Sequence, residues 1–272
     1  MKQTPIDFAL SLQRQTVAAI EHQPKEAHRL IEQALSSLES DESNETIYAK
    51  LLMTKGQLQC FFGEYAEALK TIQRSLEIYK KHKSEDGVAT ALNGLGIVYG
   101  HLGEFATALA FYYESLAIRK KMNDEKNIFA AMNNIAVTQE KQGQHLDALE
   151  TIQKSHRAAV NLKNEELFIS SFINMGNVLA KIGRFNEARE YFERSLALAK
   201  KHQDKLTEAN VMNNLGNVQL SLGNYEQAIA FFKESIALNE ELENKHGLVE
   251  SLVSIGQCVA RIRANKASVT LD

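Results

Sequence analysis

Asparagine recurs at 40-residue intervals in segments whose hydrophobic pattern is helical. Asn93, Asn133 and Asn213 form one series, Asn134, Asn174 and Asn214 a second, and Asn177 and Asn217 a third, with Asn210 nearby. Asparagine is a poor helix former because its side chain competes for backbone hydrogen bonds, so its repeated use inside helices needs a cause. Its amide offers both donors and an acceptor. A ladder of such amides can bond the backbone of an extended peptide without demanding a particular sequence. A further series, His101, Lys141, Lys181 and Arg261, is basic, and it would add a preference for acidic side chains or a carboxylate. For Asn93, Asn133 and Asn213, hydrogen bonding between adjacent repeats is the competing use.

Covalent and metal chemistry find no comparable support. The chain has no HExxH, no Walker loop and no nucleophile elbow. The glycines of Gly94-Leu95-Gly96 and Gly100 have the wrong spacing for a phosphate loop and fall inside a helical pattern. The eight histidines do not pair at helix-neighbour spacing, and Glu165-Glu166 and Glu240-Glu241 fall at helix ends or loops, where they are solvated. The expectation is a non-enzyme with no cofactor and no metal. Cys60 and Cys258 lie on the helical pattern without a CxxC, as small buried thiols of a reducing compartment do.

The elements that must position the amides are set by glycine. Gly63, Gly103, Gly143, Gly183 and Gly223 recur every 40 residues, each opening a near-copy of the phrase Gly223-Asn224-Tyr225-Glu226-Gln227-Ala228-Ile229. Repetition at this period marks a solenoid. Upstream of each glycine runs an apolar stripe such as Ala91-Leu92, Leu95, Val98-Tyr99, Leu102, and downstream another, Phe105, Ala108-Leu109, Tyr112, Leu116. The glycine ends the first helix in the left-handed conformation. Helical hairpins are therefore predicted over 45–81, 85–121, 125–161, 165–201 and 205–241. A diverged pair is predicted near 6–22 and 25–40, entered through Thr4-Pro5-Ile6-Asp7, with Pro24 where the glycine belongs and Ala27 and Ala34-Leu35 one residue out of register. A lone helix over 246–264, with Arg263 in place of the turn glycine, is predicted to cap the stack, with Arg261, Arg263 and Lys266 solubilising its end. Truncation from a longer protein is the alternative. The whole, 1–272, reads as a single elongated domain.

Second helices finish in basic clusters, Lys80-Lys81-His82-Lys83, Arg119-Lys120-Lys121 and Lys200-Lys201-His202, which complement the negative end of a helix dipole. With a net charge of −3 over 272 residues, these clusters do not make a nucleic-acid binder. No stretch approaches the roughly 18 apolar residues of a membrane span, and a cytoplasmic chain with no membrane partner is expected. His145 replaces the aromatic of Tyr65, Phe105, Phe185 and Tyr225, and His156 replaces the leucine of Leu76, Leu116 and Leu196. Two histidines on one packing face could make a pH-sensitive point; partly exposed histidines bonded to neighbours are the plainer reading.

The phrases Asn93-Gly94-Leu95-Gly96, Asn213-Asn214-Leu215-Gly216 and Gly223 to Ile229 resemble tetratricopeptide repeats over roughly residues 45–262, and more loosely 6–40. The resemblance rests on a small residue in each first helix (Gly56, Gly96, Ala136, Gly176, Gly216, Gly256), the loop glycine, the alanine five residues on, and Ser75, Ser115, Ser155, Ser195 and Ser235. The period departs from the 34-residue consensus and is similar to arrays in kinesin light chains, in adaptors that bind GoLoco peptides and in bacterial signalling proteins. The resemblance implies an all-α, right-handed superhelical solenoid of helical hairpins whose first helices line a concave groove for a peptide. With the small residue as position 8, positions 4, 7, 8 and 11 point into the stack at about 100° per residue. The asparagines then occupy positions 2, 5, 6 and 9, and the basic series position 13, on the opposite face. The lysine–asparagine clamp of chaperone-binding arrays is missing, since position 5 holds Met53, Asn93, Asn133, Ile173 and Asn213. The expected function is a protein- or peptide-binding scaffold. The alternative is a regulatory or dimerising input module of a bacterial signalling protein of cyclase or histidine-kinase type, for which a homodimer is admissible.

Overall fold

The computed structural model describes residues 4–19, 23–38 and 44–269, the side chains of Pro24 and of residues 265–269 excepted; the ends of the first predicted pair, 20–22 and 39–40, and the side chain of Lys266 lie outside them. Among the described residues it is all-helical. The helices run in antiparallel pairs: α1 (Pro5–Ala19) with α2 (Pro24–Ser36), α3 (Glu45–Phe61) with α4 (Tyr65–Lys81), and α5 (Glu85–His101) with α6 (Phe105–Lys121). Then come α7 (Glu125–Lys141), α8 (His145–Leu162), the pair α9 (Glu165–Lys181) and α10 (Phe185–Lys201), the pair α11 (Lys205–Ser221) and α12 (Tyr225–Glu241), and a long single α13 (Lys245–Val269). The chain divides into two compact units, Met1–Gln142 and Gly143–Asp272.

Two local signals recur in the five hairpins of the 40-residue period. The five loop glycines have φ between 75° and 81°, a region closed to most side chains by Cβ sterics. Second helices end the same way without glycine: Lys83, Asn123, Lys163, Gln203 and Glu243 have φ of 50° to 57°. The helix that follows each of them restarts on a side-chain cap, Ser84 to Gly87 N, Asp124 to Asn127 N, Asn164 to Glu166 N and Leu167 N, Asp204 to Thr207 N, and Asn244 to Gly247 N. At the start of α1, Thr4 Oγ1 accepts from Asp7 N and donates to the Asp7 carboxylate.

Within a hairpin the small residue of the first helix is covered by one large residue of the second. A Cβ on Gly216 would fall 2.5 Å from Phe232, one on Gly96 2.6 Å from Tyr112, and Gly176 and Gly56 are overlain in the same way by Phe192 and Ile72. The repeated spacing to serine has a second purpose. Ser75, Ser115, Ser195 and Ser235 donate to the carbonyls of Ala49, Ala89, Ile169 and Ala209 at 2.7–3.4 Å. The helices can approach closely because the contact surface is glycine, and the buried hydroxyl is satisfied by backbone.

The basic clusters do more than face a dipole. Lys81 and His82 both grip Glu45, at 2.7 and 2.6 Å, and Lys201 and His202 grip Glu165, at 2.7 and 2.9 Å. Lys121 reaches Glu85 at 2.5 Å, and in the last full hairpin the polarity reverses, Lys205 meeting Glu241. Each pair joins the first residue of a first helix to the last of its second helix. Arg119 differs from the rest of its cluster. It is buried, and its guanidinium bonds the carboxylates of Asp86 and Asp124 (the latter at 2.8 Å), Thr90 Oγ1 at 2.6 Å and the Asp86 carbonyl at 3.2 Å. Tyr79, Ala159, Ala199 and Asn239 fill the same place in the other hairpins.

Candidate functional site

In the first unit, adjacent first helices α5 and α7, with Tyr112 of α6, border a cleft of about 270 Å³ lined by Ile97, Gly100, His101, Tyr112, Asn134, Val137, Thr138 and Lys141. Its floor is apolar, from Ile97, Val137 and the Tyr112 ring. Gly100 lacks the side chain that would stand beside the Tyr112 hydroxyl; a Cβ there would lie 3.8 Å from it. Burial, with a small addition from nearby Cys60, raises the Tyr112 phenol well above its usual range, so the hydroxyl stays protonated. The rim carries one cation, Lys141. His101 stacks on Tyr65, centroids 5.4 Å apart and rings 13° from parallel, which fixes the imidazole, while Lys141 is exposed.

Asn134 on this wall donates from Nδ2 to Oδ1 of Asn93 at 3.0 Å, a position-6 amide of one repeat reaching a position-5 amide of the repeat before. Both expected uses thus meet in one pair. The bond between repeats orients the two amides, and Asn134 Oδ1 and Asn93 Nδ2 keep hydrogen-bonding capacity. Asn133 is half-buried beside them. In the second unit, Asn213 accepts from Ser251 Oγ at 3.4 Å, again across repeats. Asn214 has no such bond because the preceding position 5 is Ile173, which offers no acceptor. Asn174, Asn177 and Asn214 are half-buried; Asn210, Asn217 and Lys181 are exposed. Arg261 lines a separate cleft of about 700 Å³ with Leu220, Ser221, Gly223, Tyr225, Gln257, Ala260 and Ala264. The structure therefore brings His101, Asn134, Lys141 and Asn93 together in one site.

The off-pattern histidines part company. His156 is half-buried, its Nδ1 2.8 Å from Ser171 Oγ, with its ring against Phe168 and Phe172. Burial, and secondarily the Arg194 charge, lowers its pKa. His145 Nδ1 is buried and has no hydrogen-bond partner among the described residues. Cys60 is half-buried and Cys258 buried, both thiols free, and burial raises both pKa values. No group of three or more His, Cys, Asp or Glu residues among the described residues is placed to hold a metal ion, and no described helix is long and apolar enough to cross a membrane.

Residues 46–121, 127–201, 167–241 and 207–268 match the family model for the tetratricopeptide repeat. The chain belongs to the tetratricopeptide repeat family. No curated protein matches it in sequence. Among solved structures, this tetratricopeptide repeat chain is similar to a signal transduction ATPase with a tetratricopeptide repeat sensor from Pyrococcus horikoshii, with TM-score 0.72 and 14% identity, over 93% of this chain and 40% of that one. It is similar to NprR in complex with its cognate peptide NprX, with TM-score 0.67 and 18% identity, over 90% and 71%. It also resembles a putative kinesin light chain of Podosopora anserina, with TM-score 0.59 and 18% identity, over 74% and 99%.

Proposed function

We propose that the chain is a non-catalytic scaffold that binds a protein or peptide along the faces of its first helices. The cleft between α5 and α7 carries this reading: an apolar floor, oriented amides with unused capacity and a lysine at the rim are the parts needed to hold an extended segment with an acidic side chain. The exposed or half-buried Asn174, Asn177, Asn210, Asn214 and Asn217, with Lys181, supply the same chemistry in the second unit. The fold is shared with NprR, which was solved with a peptide. The test begins with a displayed peptide library panned against the intact chain, and the enriched peptide is then titrated by fluorescence anisotropy. Replacing Asn134, Asn174 and Asn214 together by alanine should weaken it at least tenfold with unchanged helicity, and Lys141→Glu should cost most for peptides with acidic residues. Undiminished binding by the triple variant would refute the groove reading.

A second reading, a sensory module attached to an output domain, draws on the likeness to the Pyrococcus horikoshii ATPase, in which the repeat array is a sensor within a longer chain. Peptide capture that leaves the activity of an attached output domain unchanged would speak against it.

A further inference from the structure

The hairpins of Glu45–Lys81, Glu85–Lys121, Glu165–Lys201 and Lys205–Glu241 each cover one stripe of the first helix with the second. In α13 the equivalent stripe is open. Val249 and Leu252 are 58% and 53% exposed, and among the described residues nothing lies within 4 Å of a Cβ placed on Gly256. The corresponding Ala49, Ala89, Ile169 and Ala209 are buried, as are Leu52, Leu92 and Met212. Lys245, Val249, Leu252, Gly256 and Arg263 follow one another along a single helical face. The opposite face, Gly247, Ser251, Ser254 and Cys258, is buried in the packing of α13 on α12 and α11. The helix continues through Arg263, where each hairpin of the 40-residue period turns on glycine. A helix face that stays in water is ordinarily polar; this one presents valine and leucine.

The protein's own hairpins define what fits that face. The site equivalent to Gly256 receives Ile72, Tyr112, Phe192 or Phe232. The carbonyl equivalent to that of Val249 accepts from a serine three residues further on. Lys245 corresponds to Lys205, which pairs with the acidic end of α12 at Glu241. The open stripe contains two cations and no carboxylate. A second α13 laid antiparallel on it would bring Lys245 toward Arg261 and Arg263 of its twin, a like-charge contact that disfavours self-pairing.

We propose that this face of α13 docks, in trans, an antiparallel amphipathic helix of a partner protein, with an aromatic or isoleucine anchor, serine three residues later and an acidic residue nine residues later. The α12 sequence has this pattern in Phe232, Ser235 and Glu241, with Glu226 in its first turn, where it would meet Arg263. The probe is therefore a labelled synthetic peptide of α12, Tyr225–Glu241, titrated with the intact protein by fluorescence anisotropy. Saturable binding is expected. Gly256→Phe, which places a ring where the peptide's own anchor would sit, should weaken it at least tenfold with unchanged circular dichroism and Tm. Lys245→Glu should weaken the α12 peptide about threefold, as for an exposed ion pair, and a peptide carrying Glu241→Lys should bind Lys245→Glu protein better than the original. Absence of saturation at about 1 mM, or binding indifferent to Gly256→Phe, overturns the proposal. So does self-association in sedimentation velocity that Gly256→Phe abolishes, which would assign the face to a second copy.

Discussion

Arg119 should behave as a cation whose loss is tolerated better than the loss of its partners. Its side chain is only 5% exposed, whereas the side chain of Asp86 is 68% and that of Asp124 25% exposed. Arg119→Met removes the buried charge and keeps most of the aliphatic volume. Asp86 then returns to water, Asp124 keeps Asn127 N at 3.3 Å and Asn127 Nδ2 at 2.7 Å, and Thr90 Oγ1 still donates to the Asp86 carbonyl at 2.9 Å. No buried group is stranded, so the cost is that of charge-assisted hydrogen bonds net of desolvation, about 1–2 kcal/mol. The double variant Asp86→Asn and Asp124→Asn preserves volume and the helix cap, yet leaves a guanidinium buried among neutral acceptors. That should cost about 3–5 kcal/mol. Adding Arg119→Met to the double variant removes the stranded charge and should recover about 2 kcal/mol, since coupled neighbours are not additive. Urea unfolding followed by circular dichroism gives the midpoints, with unchanged slopes as the check on comparability. The reasoning fails if Arg119→Met costs as much as the double variant, or if the triple variant is no more stable than the double.

Two further outcomes follow from the backbone and from histidine. Lys83, Lys163, Gln203 and Glu243 hold φ of 50° to 57°; relief of about 1–2 kcal/mol of left-handed strain, less the entropy glycine gains in the unfolded chain, predicts about 0.5 kcal/mol for each change to glycine. The fourfold variant should show a higher Tm, and an unchanged or lower one would count against it. The lowered pKa of His156 means that its fold-dependent stabilisation is present above the unfolded value of about 6.5 and is lost as pH falls through the folded value. Arg194 stands nearby and no carboxylate contributes to the shift. Tm should therefore drop between pH 8 and pH 5.5 by more in the native chain than in His156→Leu; equal drops would dismiss the role.

The hairpins were legible because their determinants are local and periodic: a glycine that must take positive φ and apolar residues at helical spacing. The partners of the cationic clusters were not legible because a helix-end charge already has a local explanation, which hides a distant one. A test at 36-residue separation would have paired Glu45 with Lys81, Glu85 with Lys121, Glu165 with Lys201 and Lys205 with Glu241. No such spacing announces Arg119 as buried, since its carboxylates come from two different turns. Counting from position 8 put Asn134, His101 and Lys141 on the same outward face of the first helices. It could not show that Asn134 and Asn93 would bond to each other, because that depends on how closely neighbouring first helices approach. The outward apolar face of α13 was masked by the arginines that flank it in sequence.

The clasps between hairpin ends are exposed, and each contributes only about 0.2–1 kcal/mol, so their value lies elsewhere. A chain of near-identical hairpins faces an addressing problem as it emerges and folds, because any first helix presents nearly the same surface to the wrong second helix. The reversal at Lys205 and Glu241 labels the last full hairpin. If α11 were to pair with α10 instead of α12, Lys205 would confront Lys201 and His202, and Glu165 would be left to Glu241. Two repulsions would replace two attractions. One inverted pair thus acts as a parity check on the order of assembly, rejecting a mispaired array that hydrophobic packing alone would accept.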